Sequence, residues 1–247
     1  MTSSRSFHHE NLIEAWRAAS THLATPSQNE FIWIVGCETA WQETPQALRK
    51  LDSVATAHNF ERPSAIANML FPVAAAAENL SVAEATEKGL ELFGRGRAKG
   101  LRFSNWRHTY FERLSGQSVD GNGRRERFRD NKLSDVIAKL NAWNKNAESA
   151  LFIHTSLDSE TFRTRGGPCL QYVQFRAHGQ SQLDIIGLYR AHDYGNKALG
   201  NLIGLDRLGR FVARHTGRQL NQTSVVSLHP FADSKARLRN FANLVTP

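Results

Sequence analysis

The sequence predicts a single domain of the α/β or α+β class. The chain has 247 residues, of which 40% are hydrophobic, and this length and apolar content suit one sizeable core better than two. Residues 11–23 carry apolar side chains at helical spacing, which predicts an amphipathic helix. Residues 31–35, FIWIV, form a short apolar run that is typical of a buried strand. Helices and strands are therefore both expected around one core.

Further elements follow along the chain. The pattern of residues 46–57 fits either a helix or a strand-turn connection and does not decide between them. An apolar run at residues 64–70 stops at Phe71-Pro72, and residues 74–93 are expected to be helical. Another helix is expected at residues 202–215. The charged residues expected on the solvated faces of these two helices are Glu84, Glu87, Lys88, Glu91, Asp206, Arg207, Arg210 and Arg214.

The charge balance points to an anionic partner. Thirty-one lysines and arginines against 23 acidic residues give a formal net charge of +8, which attracts either nucleotide phosphates or a nucleic-acid backbone. The sequence contains no long apolar segment, signal peptide or low-complexity tract. A soluble, cytoplasmic protein without a membrane partner is therefore expected.

The two cysteines exclude some kinds of site. Cys37 and Cys169 lie far apart, so they predict neither a disulfide framework nor a cluster of metal ligands. Cys37 directly follows the strand-like run and is expected to be a small residue in a turn. No metal site is expected.

The region with the most chemistry is residues 166–201, GGPCLQYVQFRAHGQSQLDIIGLYRAHDYGNKALGN. Pro168 fixes its own φ and favours an extended residue before it. The run from Leu170 to Phe175 is rich in β-forming residues. Cys169 should therefore sit at the start of a strand, directly after a rigid turn, where a nucleophile could be aimed into a cleft.

A second strand-like run ends beside other reactive groups. Residues 183–189 are followed by Arg190 and, three residues later, by Asp193. Reactive groups therefore stand at the start of one strand and at the end of the next. This arrangement predicts a functional site where the two strand ends meet. The alternative is that Cys169 is a small core residue. A cysteine becomes reactive when its pKa is lowered, and a sequence does not reveal such a shift.

These motifs resemble those of the thymidylate synthase and deoxycytidylate hydroxymethylase superfamily, which makes the chain similar to a divergent member of it. The resemblance covers roughly residues 105 to 231. The order of the matching motifs along the chain carries more weight than any single motif. The matching motifs are Tyr110-Phe111-Glu112-Arg113-Leu114, Pro168-Cys169, Gln174-Phe175, Arg190-Ala191-His192-Asp193 and Asn201.

The resemblance implies an architecture. The expected fold is α+β and thymidylate synthase-like, with a mixed β-sheet covered by helices and a homodimer that packs sheet against sheet. The whole chain, residues 1–247, would form one such domain. Residues 94–130 would be a basic and mobile insertion in it.

The resemblance also implies a reaction, the C5 methylation or hydroxymethylation of a uracil-type pyrimidine nucleotide. Cys169 would be the nucleophile that adds to carbon 6 of the base. Arg190 would bind the nucleotide phosphate and lower the pKa of the thiol, and Asp193 would order the pterin and its waters. The one-carbon unit would come from 5,10-methylenetetrahydrofolate.

Four further residues would bind the substrate. Asn201 matches the position that contacts the base edge, where a carboxamide suits uracil because it offers both a donor and an acceptor. His229 falls where the family has a His-x-Tyr motif that touches the sugar hydroxyl. Gln174 and Arg113 match further pocket positions.

Some positions depart from the family pattern. Glu148 and Ser149 stand where the family has an Arg-Arg pair that reaches the phosphate of the partner subunit, so two positive charges are missing there. Ala191 replaces a serine, and Phe231 replaces the tyrosine of His-x-Tyr. No Glu-Leu-x-Trp segment is present in the first hundred residues.

Three interpretations are compatible with these observations. The first is a divergent transferase that acts through Cys169. The second is a catalytically inactive protein of the same fold that senses nucleotides or serves in an assembly. The third is a nucleic-acid-binding protein that uses basic clusters at residues 95–107 and 124–129, although a solvated loop is a common alternative for such clusters.

Overall fold

The computed structural model describes residues 4–25, 32–38, 42–103, 108–157 and 167–246. Within these ranges the fold is mixed α+β. The strands are β1 (Ser4–His9), β2 (Ile32–Glu38), β3 (Gln117–Val119), β4 (Arg125–Arg127), β5 (Glu148–His154), β6 (Leu170–His178), β7 (Gln182–Tyr189), β8 (His192–Asp193), β9 (Gln219–Ser227) and β10 (Pro230–Phe231). The helices are α1 (Leu12–Leu23), α2 (Pro45–Ala57), α3 (Pro63–Leu70), α4 (Val82–Ala98), α5 (Tyr110–Ser115), α6 (Lys132–Ala142), α7 (Ala198–His215) and α8 (Lys235–Leu244).

A six-stranded mixed sheet organises the molecule, in the order β1-β2-β9-β7-β6-β5. The β1/β2 and β7/β9 pairs are parallel, and the other pairs are antiparallel. Alternate residues of each strand point to opposite faces. One face, which includes Trp33, Phe175 and Val225, is fully buried, and the long helix α7 packs against β7 and β9 on it.

The other face of the sheet carries exposed apolar side chains. Ile34 is 44% exposed, Phe152 62% and Tyr172 37%. By register these residues share one face with Gln174 and Val226. This surface, which we call the open sheet face, is where the predicted sheet-to-sheet contact would form.

The N-terminal part of the sheet differs from the prediction. No element was predicted before residue 11, but residues 4–9 form β1, which pairs in parallel with β2. Cys37 was expected in a turn; it lies inside β2 and is fully buried. Small residues such as Gly36 and Cys37 fit into a strand as well as branched ones do, so the apolar run did not mark where β2 ends.

The helix predicted at residues 74–93 is shifted along the chain, and it extends into the first basic cluster. Helix α4 begins only after Ser81, whose hydroxyl accepts from Glu84 N at 3.3 Å while the Glu84 carboxylate accepts from Ser81 N at 2.8 Å. Such a capping box fixes a helix start. The helix then runs on to Ala98. Gly96, which suggested a loop, lets the ring of Phe103 approach: a Cβ there would lie 2.0 Å from that ring.

The predicted insertion at residues 94–130 is largely built from regular elements. Its described residues include the end of α4, helix α5 and the β3-β4 hairpin. The segment 46–57, which the sequence left undecided, is helix α2, and Thr44 Oγ1 caps it by accepting from Ala47 N at 3.1 Å.

Helix α7 starts four residues earlier than predicted and is more deeply buried. The expected solvated positions Asp206 and Arg207 are 3% and 5% exposed. Arg207 is bound by both carboxylate oxygens of Glu43, at 2.6 and 2.7 Å. The prediction for these two residues was wrong because buried charges are accepted where a partner neutralises them.

Candidate active site

The sheet brings the two predicted reactive ends together. Because β6 and β7 are antiparallel, the start of β6 meets the end of β7, and Arg190 N donates to Cys169 O at 2.9 Å. Gly167 adopts φ +90° in the preceding turn, a conformation that favours glycine. The Arg190 guanidinium donates to Pro168 O and Gly167 O, both at 3.3 Å. Arg190 therefore holds the turn that presents the cysteine.

A cavity of about 290 Å³ opens in front of this turn. This volume lies at the lower end of the small-molecule sites of proteins, which span roughly 300–1,000 Å³. Four predicted site residues, Cys169, Asp193, Asn201 and Arg113, line it. The other lining residues are Ile66, Met69, Phe103, His108, Thr109, Tyr110, Pro168, Ala191, His192, Lys197 and Phe231.

The electrostatics around Cys169 act in opposite directions. Burial raises the pKa of the half-buried thiol most strongly, the charges of Arg190 and Lys197 lower this pKa, and that of Asp193 raises it. The net shift of the pKa is upward. The expected lowering by Arg190 is present but is outweighed by desolvation. In the absence of a ligand the thiol is therefore mainly protonated at neutral pH.

Asp193 shapes the loop that leads into α7. Its Oδ1 accepts from Gly195 N at 3.0 Å and from Asn196 N at 3.1 Å, and its Oδ2 accepts from Asn196 Nδ2 at 2.8 Å. These bonds make an Asx-type turn. The carboxylate thus positions the first turn of α7, which carries Asn201, as well as lining the cavity.

Arg113 is a buried anchor in the cavity wall. It is 1% exposed and donates to His108 O at 3.2 Å and to Thr155 O at 3.1 Å. These bonds tie α5 to the end of β5.

Asn201 rests on a histidine that the sequence did not single out. His192 is fully buried, and its Nε2 lies 3.1 Å from Asn201 Nδ2 while its Nδ1 lies 2.8 Å from Ser227 Oγ. Its ring stacks on Tyr189 at 4.0 Å between centroids. Desolvation lowers the pKa of His192 to about 3, so the imidazole is neutral. Its place directly before Asp193 was the available sequence signal.

Tyr110 is the second residue that the prediction did not assign. Its hydroxyl oxygen accepts from Cys169 N at 2.9 Å and from Leu170 N at 3.0 Å. Burial raises the pKa of Tyr110 to about 12, so the phenol keeps its proton. It belongs to the Tyr-x-x-Arg-Leu segment, which was the signal that could have identified it.

Three predicted site residues, Arg190, Gln174 and His229, do not line this cavity. Gln174 lies on the open sheet face, opposite the buried side of β6. The side chain of His229 is exposed, while its backbone carbonyl accepts from His192 N at 2.9 Å. His229 therefore supports the site through its backbone.

The two basic clusters meet across one surface depression. A depression of about 550 Å³ is lined by Arg97 from the first cluster, at 95–107, and by Arg124 and Arg125 from the second, at 124–129. It adjoins the main cavity through His108, which lines both. Two segments that are separate in sequence thus form a single surface.

Part of this positive charge is neutralised within the protein. Arg97 binds both carboxylate oxygens of Glu112, at 2.6 and 2.9 Å, and Arg125 is paired with Glu87. Residues 104–107 of the first cluster lie outside the described residues. Fewer cations are therefore available to a partner than the sequence suggests.

A further cavity of about 430 Å³ adjoins the main one through Met69, Phe103 and Lys197. Its lining also includes Arg62 and Arg102. In the part of the chain that the structure describes, no group of three or more histidine, cysteine or acidic side chains could hold a metal ion. Among the described helices, none has the length and apolar character to cross a lipid bilayer.

No protein-family model matches the chain, and no curated protein matches it.

Proposed function

We propose that this protein binds a pyrimidine nucleotide in the main cavity and is a divergent one-carbon transferase of the thymidylate synthase type. The observation that carries the proposal is the common location of Cys169, Asp193 and Asn201 on one cavity of about 290 Å³. A nucleophile, a carboxylate and a carboxamide on one small cavity suit a planar, polar ring.

The proposed chemistry begins at Cys169. The Cys169 thiol gives its proton to water, and the thiolate sulfur bonds to carbon 6 of the base. The electron pair of the carbon 5–carbon 6 double bond moves to carbon 5 and the adjacent carbonyl oxygen. A hydrogen-bond donor on Asn201 stabilises the charge on that oxygen. Carbon 5 is then nucleophilic. Arg190 and Lys197 favour the thiolate, and a bound phosphate near Arg190 remains a prediction.

The adjoining cavity suits a carrier such as 5,10-methylenetetrahydrofolate. Met69 and Phe103 offer apolar surface to an aromatic ring system, while Arg62 and Arg102 offer charge to carboxylates. Lys197 is paired with Glu61, which also lines this cavity. The carrier would supply the one-carbon unit at the level of formaldehyde. These residues would hold it beside Cys169, because Met69, Phe103 and Lys197 line both cavities.

A homodimer through the open sheet face is part of the proposal. The exposed side chains of Ile34, Phe152 and Tyr172 lie on this one face. Stable interfaces bury apolar side chains of this kind at their centre. Two copies of one sheet face make an isologous contact, which twofold symmetry closes.

The test is adduct formation at Cys169. The protein is incubated with deoxyuridine, 5-fluorodeoxyuridine and deoxycytidine monophosphates, each with and without methylenetetrahydrofolate, and intact mass is recorded. An adduct with the uracil-type nucleotides that disappears in Cys169→Ser supports the proposal. The absence of any adduct, with unchanged folding, refutes the transferase.

A nucleotide-binding protein without turnover is the second candidate. Two observations favour it: burial raises the pKa of the Cys169 thiol, and Glu148 stands where the family supplies an arginine. Tight nucleotide binding by calorimetry, without an adduct in the same experiment, selects this candidate.

Nucleic-acid binding is the third candidate, and the convergence of Arg97, Arg124 and Arg125 on one depression favours it. Salt-sensitive retention of DNA or RNA, without binding of mononucleotides, selects it.

A further inference from the structure

Four buried side chains form a hydrogen-bonded chain that ends at the cavity. Tyr194 Oη lies 3.1 Å from Ser227 Oγ, Ser227 Oγ lies 2.8 Å from His192 Nδ1, and His192 Nε2 lies 3.1 Å from the carboxamide of Asn201. The first three are at most 1% exposed, and Asn201 is 6% exposed. Asn201, the last member of the chain, lines the cavity together with His192.

Counting hydrogens determines the direction of this chain. The tyrosine hydroxyl, the serine hydroxyl and the neutral imidazole each carry one donor hydrogen. Three bonds join the four side chains, so these three hydrogens fill all three bonds if the Asn201 carboxamide accepts. Tyr194 then donates to Ser227, Ser227 donates to His192 Nδ1, and His192 Nε2–H donates to the carboxamide oxygen.

The opposite direction leaves a buried donor without an acceptor. If the Asn201 amide group donates to His192 Nε2, four hydrogens compete for three bonds. Either the Tyr194 or the Ser227 hydroxyl then has no acceptor among the described residues. Burying a donor without a partner is costly, whereas exchanging the oxygen and nitrogen of a carboxamide hardly changes its shape. The carboxamide orientation with its oxygen at His192 is therefore favoured.

This orientation determines what the cavity recognises. The other end of the Asn201 carboxamide makes no hydrogen bond to a described residue and opens on the cavity. That end is the NH₂ group when the oxygen faces His192. This NH₂ group can donate to a carbonyl oxygen. It cannot hydrogen-bond to an exocyclic amine, because both groups are donors.

We propose that His192 is a positioning residue whose Nε2–H tautomer holds the Asn201 oxygen, so that the cavity selects a ring carbonyl over a ring amine. The recognition half of this inference rests on the proposed function; the tautomer does not. Applied to pyrimidines, the site prefers uracil-type to cytosine-type nucleotides. A buried donor that loses its acceptor discriminates strongly, so a preference of at least about tenfold in Kd is expected.

The tautomer is tested in the ligand-free protein. Nitrogen-15 NMR of histidine-labelled protein, with His192 assigned by the signals lost in His192→Phe, should show a protonated Nε2 and a bare Nδ1. A protonated Nδ1 overturns the inference. Ser227→Ala removes the donor to Nδ1 and keeps both rings, so it should yield a mixture of tautomers; a tautomer unchanged in this variant also overturns it.

Recognition is tested separately by calorimetry with uridine and cytidine monophosphates. Wild-type protein should bind the uracil nucleotide at least about tenfold more tightly, and Ser227→Ala should reduce this ratio. Equal binding, or a cytosine preference, refutes the selection of a carbonyl. If neither nucleotide binds while the Nε2–H tautomer is found, the proposed function fails and the positioning role of His192 stands.

Discussion

The hydroxyl oxygen of Tyr110 accepts a hydrogen bond from the backbone N–H of Cys169 at 2.9 Å. It accepts a second one from Leu170 N at 3.0 Å. Tyr110 comes from α5, whereas Cys169 precedes β6, so one side chain ties two distant segments at the mouth of the cavity. The position of the sulfur therefore depends on α5 as well as on the sheet.

Tyr110→Phe should destabilise the protein by about 1–3 kcal/mol, because it leaves two backbone donors without their acceptor. Chemical denaturation measures the change. Ser53→Ala is the control: it removes an exposed hydroxyl on α2 and should change the free energy of unfolding by less than about 0.5 kcal/mol. Equal effects of the two substitutions would contradict this role of Tyr110.

The two cysteines should differ in their reaction with a neutral alkylating reagent. Burial raises the pKa of Cys37 to about 12, and the side chain is fully buried, so it should stay unmodified in the folded protein. Cys169 is half-buried, and burial also raises the pKa of its thiol. Its alkylation should be slow at pH 7 and should rise through alkaline pH, later than that of a free cysteine. Peptide mass spectrometry after timed alkylation measures both rates.

Lys197→Met tests the electrostatic part of this prediction. The charge of Lys197 lowers the pKa of the Cys169 thiol, so its removal should raise that pKa further and slow alkylation at pH 8 several-fold. Lys88→Met, which removes an exposed lysine on α4, is the control and should leave the rate unchanged. Faster alkylation in Lys197→Met would show that desolvation by the lysine, rather than its charge, governs the thiol.

The sequence predicted the centre of the site better than its surroundings. Cys169, Asp193 and Asn201 follow a strand-turn-strand-helix pattern in which local chemistry specifies the geometry, and they do meet on one cavity. Gln174 occupies a strand position whose face depends on register. One step along a strand reverses the face, and Gln174 lies on the open sheet face.

The residues that were not assigned act through contacts between distant segments. His192 is linked to Ser227, 35 residues away, and Tyr110 to Cys169, 59 residues away. No local pattern predicts such contacts. The same reason explains Arg207, whose partner Glu43 lies 164 residues away. A charged helix position looks solvated until the partner that allows its burial is known.

A cluster on the open sheet face should make stability depend on pH. His178 Nε2 lies 2.6 Å from Asp184 Oδ2, and this hydrogen bond is the main cause that raises the pKa of His178 above its ordinary value of 6.5. The stabilisation is therefore complete below pH 6.5 and is lost as pH rises through the higher pKa of the folded state. Unfolding curves between pH 5.5 and 8.5 measure it. Asp184→Asn keeps the histidine and should flatten this dependence; an unchanged curve would contradict it.

The contact between α7 and α3 should tolerate no side chain at Gly200. A Cβ there would lie 2.5 Å from Ile66 Cβ and 2.6 Å from Pro63 O, so Gly200→Ala should cost about 1–3 kcal/mol. Gly94→Ala is the control, because the nearest atoms lie 3.4 Å away and alanine favours the helix. The control should therefore be neutral or stabilising in thermal unfolding. A neutral Gly200→Ala would show that the two helices can separate without cost.

The proposed dimer gives the last prediction. Phe152 is 62% exposed on the open sheet face, and twofold symmetry would place each substitution at that interface twice. Phe152→Glu therefore buries two carboxylates that lack partners, which is strongly unfavourable. Sedimentation equilibrium should show twice 27.7 kDa for the wild type and 27.7 kDa for the variant. Leu101→Glu changes an apolar residue that is 56% exposed but lies outside the sheet, and this control should remain dimeric. A monomeric wild type would instead mean that the open sheet face contacts solvent or another kind of partner.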